Sequence, residues 1–89
     1  MKQQHKLARL RYQCRRGMLE LDVFLPAFFE SCFNDLNHRE QQLFEQLLTE
    51  PDPDLFAWLM GFDDAKKDYQ PLVAKIRDFQ LNRKITTSH

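Results

Sequence analysis

The sequence predicts an all-α fold, a compact bundle of five or six short helices, and three observations carry that expectation. Only two glycines occur in 89 residues, no polar/apolar alternation runs beyond a few positions, and apolar residues recur at i, i+3, i+4 spacing along most of the chain. Residues 1–89 read as a single domain, because a chain this short has surface enough for one core. Eight phenylalanines, Trp58, Tyr12 and Tyr69 supply the large apolar side chains that a small core needs.

The first helix is expected from about residue 4 to about 15, with Leu7, Leu10 and Cys14 on one side and Arg9, Arg11 and Arg15 around the rest of the wheel. Gly17 is placed to stop it, since glycine suits the left-handed position after a helix end. From Met18 to Leu36, Leu21, Phe24, Leu25, Phe28, Cys32 and Phe33 fall at helical spacing, and Pro26 removes an N–H in mid-run. A kink is expected there, or a break that divides a helix at 18–24 from one starting at Pro26. Asn37 and Glu40 have the spacing of a capping box and open a helix carrying Leu43, Phe44, Leu47 and Leu48. Glu50-Pro51-Asp52-Pro53-Asp54 ends that helix and begins another, with Asp52 as the expected N-cap and Pro53 as the first helical residue. Leu55, Phe56, Trp58 and Leu59 form its buried side before Gly61 closes it. After a polar loop over 61–68, Tyr69, Leu72, Val73, Ile76 and Phe79 mark a last amphipathic helix ending near Arg83, and the tail from about Lys84 is expected to fray.

Formal charge is zero, yet its distribution is uneven. Positions 1–16 hold six bases and no acid; positions 17–64 hold eleven acids against Arg39; positions 65–89 hold six bases against Asp68 and Asp78. That asymmetry can steer association with a charged partner, whereas an acidic middle would repel nucleic-acid phosphates. No apolar run approaches the ~20 residues that span a bilayer, and the first residues lead into no apolar stretch of the kind found in secretory leaders. Cys14 and Cys32 make no disulfide framework and read as reduced thiols. The expectation is a cytoplasmic protein, monomeric when free, without membrane insertion.

No chemistry-bearing constellation stands out. His5, His38, His89, Cys14 and Cys32 lack metal-ligand spacing, and no phosphate-loop, dinucleotide or zinc-protease motif is present. Cys14 beside Arg15 and Arg16 invites a lowered thiol pKa, but its place in an apolar stripe favours plain packing. Glu50, Asp52 and Asp54 are explained by a helix start, and Asp63 and Asp64 by a solvated loop. Phe24, Phe28, Phe29 and Phe33 read as core rather than a flavin box, with Phe29 beside the main stripe and expected to be partly exposed. Catalytic residues and metal ligands are therefore not expected, and the chain reads as a binding module rather than an enzyme.

The turn Cys14-Arg15-Arg16-Gly17-Met18-Leu19-Glu20-Leu21-Asp22 is harder to dismiss. Helix termination, dipole pairing and capping account for much of it. An arginine fork beside a glycine that permits close backbone approach is equally an anchor for a partner's carboxylates. Arg16-Gly17-Met18-Leu19-Glu20 has the form R-G-x-x-E, the hallmark of the succinate dehydrogenase flavinylation factors called SdhE in bacteria. The resemblance extends through Arg9, Cys14-Arg15, Leu21-Asp22, Pro26-x-Phe28-Phe29-Glu30 and Asp52-Pro53-Asp54-Leu55-Phe56-x-Trp58-Leu59-Met60, from residue 6 to about 81.

That resemblance implies a small helical bundle acting as an assembly factor. Such a factor binds the flavoprotein subunit of succinate dehydrogenase, in some bacteria also that of fumarate reductase, and promotes covalent attachment of FAD to it. It implies Arg16, Gly17 and Glu20 as the partner-binding motif, with Arg16 making a charged contact and Glu20 orienting or pairing with it. Arg9, Arg15 and Asp22 would be flanking contacts. No tightly bound cofactor is implied, since the FAD is the client's, and direct contact with FAD stays open. The alternatives are an antitoxin-like regulatory role, a label also attached to this family, and a helical nucleic-acid module using Lys2, Lys6, Arg9 and Arg11.

Overall fold

A computed structural model gives the backbone of residues 2–87 and the side chains of residues 5–82. Five α-helices follow in order: α1 Lys2–Gln13, α2 Leu19–Cys32, α3 His38–Leu47, α4 Asp52–Met60 and α5 Gln70–Thr87. Short 3-10 turns at Phe33–Asp35 and Lys67–Tyr69 join α2 to α3 and lead into α5, and no strand occurs among the described residues. The all-α reading therefore holds.

Helix α2 is the axis of the bundle, packing against α1, α4 and α5. Leu21, Leu25, Phe28 and Phe29 are all buried along it. Each such side chain contributes about 1.5–3 kcal/mol by leaving water, together more than the ~3 kcal/mol that an interior proline costs. That balance explains why α2 continues through Pro26 without the break that the sequence allowed. Around its C-terminal half, Phe28 and Phe44 stand 5.9 Å apart between ring centroids, and Phe79 meets Phe28 edge-on at 5.8 Å. Phe29 is stacked on Phe44 at 6.1 Å and capped by Arg11, whose guanidinium carbon lies 5.6 Å from the ring centroid. Phe29 is thus buried, contrary to the expected partial exposure, while Phe24 is the half-buried member of the group.

Two helix boundaries follow the sequence closely. The Asn37 side chain accepts from the Glu40 N–H at 2.9 Å, and Glu40 accepts from the Asn37 N–H at 3.0 Å, completing the capping box. Gly61, at φ +80°, closes α4, and the Phe62 N–H returns to the Ala57 carbonyl at 2.8 Å. A Cβ at Gly61 would also stand 2.7 Å from an Arg77 guanidinium nitrogen.

Three boundaries differ. Helix α1 ends at Gln13, so Gly17 lies inside the connector that follows and does not itself terminate the helix. The N-cap of α4 is Pro51, with Asp52 as the first helical residue and Pro53 the second. The carboxylate of Asp52 is drawn away from capping by a guanidinium, described below. Helix α5 runs on to Thr87 instead of stopping near Arg83, and no glycine or proline lies between Leu72 and Thr87 to end it. Residues 88 and 89, including His89, lie outside the described residues.

Candidate functional site

The connector between α1 and α2 is shaped by one half-buried aspartate, Asp22, and one arginine, Arg16. The Arg15 N–H closes back on the Tyr12 carbonyl at 3.0 Å, and the Arg16 N–H donates to Asp22 Oδ1 at 2.7 Å. Asp22, half-buried in the first turn of α2, thereby folds the connector back over its own helix. Between these bonds Gly17 takes φ +84°, a conformation that costs a residue with a Cβ about 1–2 kcal/mol. Nothing lies within 4 Å of the position a Cβ would occupy there. Glycine is needed for the backbone angle, and its outer side is open to an approaching surface.

The Arg16 side chain turns inward. Its Nε donates to Asp52 Oδ1 at 2.7 Å, one terminal nitrogen donates to the carbonyls of Leu48 at 2.7 Å and Gln13 at 3.1 Å, and the other donates to the Glu50 carbonyl at 3.0 Å. Only 16% of the side chain is exposed. One fork therefore satisfies carbonyls at the ends of both α1 and α3 and pairs with an acid at the start of α4. The expected Arg16–Glu20 pair is absent: Asp52 holds the guanidinium, and Glu20 stands exposed in the first turn of α2. Charge-assisted hydrogen bonds in a half-buried setting outweigh what a solvated neighbour could offer.

The remaining expected residues divide between this turn and its surroundings. Arg15 is exposed beside Gly17. Arg9, also exposed, lies a helical turn before Gln13 in a groove between α1 and α3 with Glu45 and Thr49. Arg11 and Lys6 are engaged within the chain: Arg11 pairs with Glu30, and Lys6 Nζ lies 2.7 Å from Glu45 Oε2. Cys14 is fully buried, and burial pushes its thiol up to about 12 against the opposing pull of Arg16, so proximity to arginines does not make it a reactive thiolate. Both cysteines are free thiols. No cluster of three or more potential metal ligands occurs among the described residues.

Matching the chain against known families gives the flavinator of succinate dehydrogenase family, Sdh5, over residues 8–80. The chain belongs to this family. A protein of Photobacterium profundum named FAD assembly factor SdhE is 61% identical over 54 residues, 61% of each chain. Another of that name from Aliivibrio fischeri is 52% identical over 77 residues, covering 85% of this chain and 90% of the relative. The chain thus spans less than two thirds of the first relative's length and nearly all of the second's. A solution structure of a UPF0350 protein superposes with a TM-score of 0.70 at 45% identity, covering 92% of this chain and 87% of that one.

Four residues in or around this turn are not marked out by the sequence. Asp52 was visible as an acid at a helix start, where capping was sufficient explanation; nothing local marked it as a partner of a residue 36 positions earlier. Tyr12, Leu19 and Val23 are 78%, 75% and 43% exposed around the Gly17 turn. Leu19 and Val23 share a face of α2 by their i, i+4 spacing, and apolar side chains left in water beside an open turn suit a docking edge.

Proposed function

We propose that this chain is an assembly factor that docks on the flavoprotein subunit of succinate dehydrogenase and promotes covalent attachment of FAD to it. The observation that carries this reading is the Gly17 turn: a fixed left-handed backbone with open space outside it, presented by a chain of the flavinator family. Gly17 lets client backbone approach. Exposed Glu20 and Arg15 offer an acid and a base to it, and Leu19, Val23 and Tyr12 offer apolar contact. Arg9 extends the edge along α1, whereas Asp22 and Arg16 shape the turn from within.

The reading assigns the factor no acid/base step and no tightly held cofactor of its own. By binding one arrangement of the client more tightly than others it raises the population in which the client's attachment site and FAD meet correctly, and the bond forms in the client. The flavoprotein subunit of fumarate reductase is a second client under the same reading. A nucleic-acid role is less well supported, because Lys6, Arg11 and Arg16 of the basic arm are each paired with a carboxylate of the same chain. The test is capture from a bacterial lysate on the immobilised chain, followed by in-gel flavin fluorescence. Recovery of a flavoprotein of the succinate dehydrogenase class is expected, and a catch without flavoprotein would overturn the proposal.

A further inference from the structure

Arg16 presents a puzzle for any docking role: a guanidinium committed to four acceptors inside its own chain has little left for a partner. Its acceptors are nonetheless informative. Gln13 ends α1, Leu48 and Glu50 lie in the corner after α3, and Asp52 begins α4. The residue immediately before Gly17 is thereby fixed at its backbone by Asp22 and at its side chain by the α3–α4 corner. We infer that Asp52 is a positioning residue for client docking, acting through Arg16 to hold the Gly17 turn in the shape the client reads. This inference rests on the docking role proposed above.

The same corner is itself braced. Glu50, whose carbonyl accepts from Arg16, receives the Tyr69 hydroxyl at 3.0 Å and Lys66 Nζ at 3.1 Å on its carboxylate. Tyr69 is buried against Trp58, with ring centroids 5.9 Å apart. A chain of direct contacts therefore runs from the body of the bundle, through Glu50 and the corner, to Arg16 and the turn. Lysine cannot replace Arg16 in this arrangement, because a single ammonium cannot reach a carboxylate and three carbonyls lying in different directions around a planar fork. A client that read only the positive charge at position 16 would accept lysine. A client that reads the turn would not.

The experiment compares wild type with Asp52→Ala, Arg16→Lys, Arg16→Ala and the Asp52→Ala/Arg16→Ala double variant. Dissociation constants for the purified flavoprotein subunit are measured well below each variant's unfolding temperature, alongside amide spectra in which Gly17 reports the turn. The inference expects Asp52→Ala and Arg16→Lys each to weaken binding by about tenfold with a displaced Gly17 resonance and an otherwise native spectrum. The double variant should bind no worse than the weaker single variant, because both substitutions remove one strut. Wild-type affinity in either folded Asp52→Ala or folded Arg16→Lys overturns the inference alone, as does multiplication of the two losses. Should Arg16→Ala fail to fold, Asp52→Ala and Arg16→Lys carry the comparison. Failure of the wild-type chain to bind the subunit at all would instead remove the docking reading and the inference with it.

Discussion

At the scale of single residues, the site separates into parts that face outward and parts that build the turn, and the two respond differently to substitution. Arg16→Ala removes charge-assisted bonds and leaves carbonyls of two helix ends without a donor, so a loss of about 2–4 kcal/mol in unfolding free energy is expected by denaturant titration. Glu20→Ala, at an exposed position in the same motif, should change stability by no more than about 0.5 kcal/mol. Equal losses for the two would contradict the division. Cys14 offers a second residue-scale check. With its thiol pushed up to about 12 by burial and its surface fully covered, Cys14 stays protonated at about pH 8. Iodoacetamide should therefore modify half-buried Cys32 first and reach Cys14 only on unfolding, as peptide mapping by mass spectrometry can read.

At the scale of elements, what the sequence disclosed was whatever is decided within one turn of helix. The Asn37–Glu40 capping box and the Gly61 closure depend on residues three or four positions apart, and both stand where spacing placed them. Asn37→Ala should accordingly cost about 1 kcal/mol, or roughly 4–8 °C of melting temperature in a domain of this size. The features that were not legible depend on distant partners. Pro26 leaves α2 whole because Leu21, Leu25, Phe28 and Phe29 pack on helices far along the chain. Asp52 gives up its expected cap to a guanidinium 36 residues away. The R-G-x-x-E motif was visible as a string, but that its arginine turns inward while Leu19 and Val23 stay in water could be read only from the packed bundle.

For the whole molecule, ion pairs tie segments far apart in sequence, and their protonation sets a common pH dependence. Glu30, Glu40 and Glu50 are each held below the ordinary glutamate value of 4.5, chiefly by hydrogen bonds from Arg11, Lys75 and Lys66 respectively. A carboxyl depressed in the folded state contributes stability that is present above its unfolded pKa and lost as pH falls through the folded one. The melting temperature should thus be level down to about pH 5 and decline steadily on further acidification. A melting temperature that rises between pH 5 and pH 3 would contradict the sign of these shifts. The same bundle presents Gly17 on its outside with Arg16 locked beneath, and the central claim is that this turn is the docking edge through which FAD attachment is promoted. Its most direct test is in-gel flavin fluorescence of the succinate dehydrogenase flavoprotein subunit, produced in a host without its own factor and supplied with wild type or Gly17→Arg. Open space around Gly17 lets the arginine variant fold at a modest backbone cost, which circular dichroism can verify. The account predicts covalent flavin with wild type and little or none with the folded variant; full flavinylation by folded Gly17→Arg would contradict it.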